Sequence, residues 1–359
     1  AMYLTRVLHN KGILGETTRI MRATARKVCN AEIYIIGDQI FGNAPNPRED
    51  YPPFDYLDAV TNYDVYGNTN RPPYAGQGTV DRYYTEQGRW RGRAIASKAN
   101  YIPAVSPGYN DRAVRFERGN VGLSRRLTAK SEPGTLFVAQ LQQARYLVDP
   151  GVGNLLLVNS FNEWHEDSQI EPCIGDPTTE PQEYTNGIEY EGYGELYLDI
   201  LRAATCDSNC QLLEKLRLNA FEGPRPPTDI LVGAYYYAWH GIDFHRGQGY
   251  LRDELIPRHQ PTLGEYDDTR PEVVAQHLAW SRQANINLWV TSWWGAGKRS
   301  DVTISEVIMK HTDRGYHKIA LFYESTNRVK AGEGYTTQRV APDMEHICQT
   351  YFDNDNYYK

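Results

Sequence analysis

Residues Asn154–Pro172 read NLLLVNSFNEWHEDSQIEP. The stretch opens as a short apolar run, LLLV, and then gathers Glu163, Glu166, Asp167 and Glu171 within nine residues, beside Trp164 and His165. A continuous apolar run of this length reads as a strand covered on both faces, as in a parallel sheet. Polar chemistry placed directly after such a strand sits where α/β proteins assemble their active sites.

Working outward, seven other runs have the same character: MYLTRV, EIYIIGD, LDAVTNYD, NYIPAVSPG, ILVGAYYYAW, INLWVTSWW and KIALFYES. Between them lie TTRIMRATARKVC, VDRYYTEQGRWRGRAIASKA, TLFVAQLQQARYLV, GELYLDILRAA, PEVVAQHLAWSRQA, DVTISEVIMKHTDR and PDMEHICQTYF. Each carries apolar residues three and four apart, the spacing of an amphipathic helix. Eight strands alternating with helices over 359 residues predict a (β/α)8 TIM barrel. A doubly wound sheet shares the alternation, and the strand count favours the barrel. Polar and aromatic residues follow several strands: Tyr63-Asp64, Pro107-Gly108-Tyr109, Asn162-Glu163, Tyr237 to His240, Trp293-Trp294 and Glu324. In a barrel these points share one face.

Composition narrows the function. A net charge of -7 argues against nucleic acid, which needs a concentrated basic face. No apolar run approaches the roughly 18 residues of a membrane span. The 27 tyrosines and 7 tryptophans against 9 phenylalanines favour rings with a polar handle, as sugar-binding clefts and crowded interfaces use. Cys206 and Cys210 (CDSNC) read as a local pair, as metal ligands with a distant partner or as two ordinary thiols, and five cysteines are too few for a disulfide scaffold. The start shows no signal-peptide pattern, and the compartment stays open; a removed leader would imply a secreted or periplasmic protein.

Glycosidic hydrolysis needs two carboxyl groups, one to protonate the leaving oxygen and one to assist attack. Glu163 and Glu166, three apart past a buried strand, suit a turn or helical start that aims both inward. Burial near a second carboxylate raises one pKa and keeps that group an acid near neutral pH. A metal set of His165, Glu166, Asp167 and Glu171 matches no zinc spacing, so no metal and no cofactor is expected. Neither a serine nucleophile elbow nor a phosphate-binding glycine loop is present.

SFNEWHEDSQIEP resembles the signature SFNEWHEGTQIEP of glycoside hydrolase family 99, the endo-α-mannosidase and endo-α-mannanase family. GAYYYAWHG is similar to that family's first strand, TSWWG to its second, YIPAVSPGYNDRAVR to its PGY-containing strand and PTLGEYD to the segment after its first strand. The order differs: residues 1–204 resemble the family's final portion and 230–359 its opening portion, with 205–229 as connector. This implies one catalytic barrel over 1–359, circularly permuted, or a cut across tandem copies.

The resemblance implies an endo-acting retaining α-glycosidase on mannan-type glycans. Its nucleophile would be the substrate's own 2-hydroxyl, passing through a 1,2-anhydro sugar. Glu163 would deprotonate that hydroxyl, and Glu166 would protonate the leaving oxygen and later activate water. Tyr109, Tyr237, Trp293, Trp294 and Glu324 would line the sugar subsites. Asp167-Ser168 stands where the family has Gly-Thr, which implies a charge that alters the acid's pKa or touches substrate. The partner expected is an oligo- or polysaccharide, and the chain is expected to be a monomer with MYLTRV paired between EIYIIGD and KIALFYES. The competing readings are a non-catalytic glycan-binding or structural barrel and a polysaccharide-assembly protein.

Overall fold

The computed structural model describes residues 2–4, 12–38, 42–65, 73–112, 115, 122–175, 178–180, 182–185, 187–206, 229–241, 255–326, 328–331 and 334–359. Most of the 205–229 connector, Cys210 and the last residues of MYLTRV lie outside them.

The expected strands are present as β1 (Met2–Leu4), β2 (Ile35–Asp38), β3 (Ala59–Thr61), β4 (Asn100–Tyr101), β5 (Ala104–Val105), β6 (Leu155–Val158), β7 (Leu231–Tyr236), β8 (Ile286–Trp293) and β9 (Lys318–Tyr323). They form one sheet in the order β4-β3-β2-β1-β9-β8-β7-β6-β5, and every pair is parallel. The two edges, β4 and β5, are halves of one strand interrupted at Ile102-Pro103. Proline has no N–H to give a ladder. On one side the Ile102 amide donates to the Val60 carbonyl (3.0 Å), and on the other the Pro103 carbonyl accepts from the Leu157 amide (3.0 Å). The sheet therefore curls back onto its own split strand as an α/β barrel, which removes the doubly wound alternative. β1 pairs with both β2 and β9, Met2 lying opposite Ile35 and Leu321. The N-terminal strand is thus seated between EIYIIGD and KIALFYES, as expected.

The helices include α1 (Leu14–Cys29), α2 (Gln77–Ala96), α3 (Thr135–Ala144), α4 (Leu196–Thr205), α5 (Pro271–Gln283), α6 (Arg299–Val302) and α7 (Val340–Ile347). The last two run on as π-helical turns, Thr303–Ile308 and Cys348–Phe352. Each long helix turns one stripe to the sheet; in α2 this is Val80, Tyr84, Gln87, Trp90 and Ala94. Alternation along the strands then separates two layers. Tyr3, Ile36, Ile102, Leu157, Tyr235, Tyr237, Leu288, Val290 and Phe322 fill the barrel. Leu4, Ile35, Tyr101, Val158, Tyr236, Trp289, Trp293 and Tyr323 face the helices. Gly233 has a specific reason: a Cβ there would stand 2.8 Å from Leu157 Cδ2 and 3.3 Å from Leu288 Cδ2. Those two leucines fill the space it leaves.

Candidate active site

After Val158 the chain leaves β6 and doubles back on itself. The Ser160 amide donates to the Ser168 carbonyl (2.7 Å) and the Ile170 amide to the Ser160 carbonyl (2.9 Å), with a turn across Trp164–Asp167. The Glu163 amide donates to Ser160 Oγ at 2.8 Å, and the Asn110 amide donates to the Glu166 carbonyl at 2.8 Å. Asn162 ties this loop to the end of β7: its Nδ2 donates to the Tyr237 carbonyl (3.0 Å), and the Tyr237 amide donates to its Oδ1 (2.8 Å). The carboxylate loop is thus braced on both flanks before any ligand arrives.

The four carboxylates that looked like one cluster separate into three environments. Glu171 is fully buried and structural. It accepts from Trp164 Nε1 (2.6 Å) and the Tyr266 hydroxyl (2.9 Å), and its other oxygen lies 3.2 Å from His277 Nε2. Asp167 turns away from the site to Arg125: guanidinium Nη2 donates to its Oδ1 (3.1 Å) and its carbonyl (2.9 Å), while Nη1 donates to the Gln169 carbonyl (3.0 Å). Both side chains are buried, and the guanidinium packs over Tyr193 and Tyr197 at 4.8 and 5.0 Å. Asp167 also has φ +48°, a left-handed conformation that glycine adopts freely and aspartate tolerates. This corrects the expectation that Asp167 bears on the acid or the substrate. Its charge is spent on a core arginine instead.

Arg125→Ala should strand that carboxylate and destabilise the fold by about 3–5 kcal/mol. Urea unfolding checks this, and a loss below about 1 kcal/mol would show that the pair contributes little.

Glu163 and Glu166 remain together at the mouth of the barrel. Glu163 keeps 5% side-chain exposure, and its Oε1 lies 3.1 Å from His165 Nδ1 and accepts from the His165 amide. Glu166 keeps 18% and accepts from Arg115 Nη1 at 3.0 Å; the same nitrogen donates to Asp111 Oδ2 at 2.7 Å. Burial, and then the charge of Glu163, pushes the Glu166 carboxyl up to about 8, against the pull of Arg115. One carboxyl that holds its proton near neutral pH beside a second carboxylate is a proton donor and acceptor set.

Tyr109, Tyr237 and Glu324 join this pair. The Tyr109 hydroxyl lies 3.4 Å from Arg115 Nη1, and burial followed by the charges of Glu166 and Asp111 holds its proton firmly. The Tyr237 hydroxyl meets that of Tyr63. Burial raises both tyrosines, and the charges of Glu163 and Glu166 add to it, so both phenols lie near the pair. Glu324 accepts from Ser292 Oγ at 2.7 Å, which in turn accepts from Trp294 Nε1 at 2.9 Å. Burial pushes Glu324 up to about 7; the Ser292 bond opposes this, and the charges of Glu163 and Asp38 reinforce it.

Trp294 reaches the mouth, 6.2 Å from the Trp239 ring, which itself lies 4.5 Å from Tyr237 and 6.1 Å from His165. Trp293 does not. It is fully buried against the helices, donates to Asp301 Oδ1 (2.7 Å) and stacks 5.7 Å from Tyr323. The strand period explains the split: Ser292 faces into the barrel, so Trp293 must face out. Arg115, Ser292 and Asp38 were not singled out from the sequence, and Trp239 only as part of the strand-end stretch Tyr237 to His240. The i, i+4 spacing of Asp111 and Arg115 was a legible signal for the first.

No family model and no curated protein matches the chain. Several solved structures do resemble it. The GH99 endo-alpha-mannosidase from Bacteroides thetaiotaomicron aligns at 22% identity and a TM-score of 0.27, over 35% of this chain and 41% of that one. The same enzyme in complex with bis-tris-propane gives the same identity and TM-score over 38% of its chain. A glycoside hydrolase-like protein aligns at 22% identity and TM-score 0.31, over 43% of this chain and 41% of its own. The chain covers about two fifths of the length of each.

Proposed function

We propose that this protein is an endo-acting retaining α-glycoside hydrolase of the family 99 type, working on α-mannan-type glycans. The observation that carries the reading is the unequal pair at the barrel mouth. Glu166 holds a proton to about pH 8 beside Glu163, under a canopy of tyrosine, tryptophan and histidine rings. In this reading Glu166 protonates the leaving oxygen. Glu163 takes the proton of the substrate's 2-hydroxyl, which attacks the anomeric carbon to give a 1,2-anhydro sugar, and Glu166 then activates the water that opens it. Neither carboxylate needs to touch the anomeric carbon, unlike the usual retaining pair. Tyr109, Tyr237, Trp294 and Glu324 bind sugar hydroxyls and faces, and Trp293 supports them from behind the sheet.

The same reading makes residues 1–359 one barrel with the family's segments in permuted order, residues 1–204 preceding 230–359. The seat of β1 between β2 and β9 closes the sheet through its first and last strands in chain order, as a single barrel in either segment order requires.

A panel of α-mannans and other α-linked polysaccharides, with product sizes read by mass spectrometry and anomeric configuration by NMR, tests the proposal. Oligosaccharides of retained configuration are expected. Tight binding with no cleavage would favour a glycan-binding barrel instead.

A further inference from the structure

Two of the cysteines meet far from the barrel mouth. Cys29 is the last residue of α1, and Cys348 follows directly on α7. Their sulfurs are 2.7 Å apart although 319 residues separate them in the chain. That is well inside ordinary sulfur–sulfur packing and within about 0.7 Å of a covalent bond. The backbone has already brought the two helix ends together, so a bond needs only a small side-chain adjustment. Cys348 is buried and Cys29 half-buried, so an outside reagent reaches Cys29 first. Burial, then Cys29, pushes the Cys348 thiol up to about 12, which keeps it a protonated, unreactive thiol until its neighbour is activated.

We propose that Cys29 and Cys348 form a disulfide that clamps α1 to the helix after β9. The oxidant is a small-molecule disulfide. The Cys29 thiolate attacks one of its sulfurs and expels a thiolate, leaving a mixed disulfide. Cys348 gives up its proton and attacks Cys29 Sγ, and the second small thiolate leaves. Two protein thiols lose two electrons, and one small disulfide becomes two thiols. The bond spans the seam at which β1 pairs with β9. Closing so long a loop removes much freedom from the unfolded chain, and the bond suits an oxidising compartment.

The whole protein is incubated with oxidised glutathione and then alkylated, digested and mapped by mass spectrometry, with melting measured before and after. A linked peptide pair containing Cys29 and Cys348 is expected, two hydrogen masses lighter than the sum of the free peptides. The melting temperature should rise by about 5 °C, and dithiothreitol should reverse the rise. Cys29→Ser should abolish both effects, and since Cys29 is only half-buried this variant should still fold. Full alkylation of both residues after oxidation, or a bond found only between other cysteines, would overturn the proposal. So would a melting temperature indifferent to reductant.

Discussion

Glu166→Gln is expected to slow cleavage of an unactivated α-linked glycan by about 10²–10⁴-fold. An aryl glycoside with a good leaving group should lose far less, because its departing oxygen needs no proton. Equal losses on the two substrates would remove Glu166 from the acid role. The pH profile offers a second check. The acid is lost as pH rises through about 8, so kcat/KM of the native protein should fall on that limb. Arg115→Leu should move the limb upward, because Arg115 is what pulls this carboxyl down. The sign for stability follows from the same shift. The folded carboxyl binds its proton more tightly than an unfolded one near 4.5, so its contribution is present at acid pH and lost as pH rises toward 8. Glutamine has no charge to bury. The variant should therefore melt higher than the native protein at about pH 9, with little difference at about pH 4.

Glu163→Gln is expected to cost about 10³-fold or more on both the natural glycan and the aryl glycoside, while glycan binding measured by calorimetry stays nearly intact. The activated leaving group does not rescue this variant, because the missing step is removal of the 2-hydroxyl proton. For the same reason a substrate lacking that hydroxyl at the cleavage site should be inert to the native protein. Efficient hydrolysis of the 2-deoxy substrate would end the neighbouring-group mechanism and send the search to a carboxylate that attacks carbon directly. Removing the Glu163 charge should also let the Glu166 carboxyl titrate at lower pH, which carbon-13 NMR can follow.

The strands were legible because fully covered parallel strands are apolar on both faces and short, and the helices because their stripes repeat every three to four residues. The candidate site was legible in part. Glu163 and Glu166 could be read from their place after β6, and Tyr109, Tyr237, Trp294 and Glu324 from theirs at other strand ends. Trp293 was misplaced because a list of strand-end residues ignores alternation: Ser292 and Trp294 face the mouth, and the tryptophan between them faces the helices. Asp38, whose carboxylate accepts from the Tyr63 amide (2.7 Å), ends β2 as a single acid with no local pattern around it.

The sequence by itself determined the alternation of strands and helices, the strand-end chemistry and the resemblance carried by SFNEWHEDSQIEP, since all of these are local periodicities or short motifs. Only the tertiary structure decided which of four neighbouring carboxylates share a site. Asp167 finds Arg125, 42 residues away, and Glu171 finds Tyr266 and His277, 95 and 106 residues away. Arg115, 51 residues from Glu166, sets its charge partner. A carboxylate's role depends on burial and on the nearest charge, and both come from residues that the fold, not the local sequence, brings within reach.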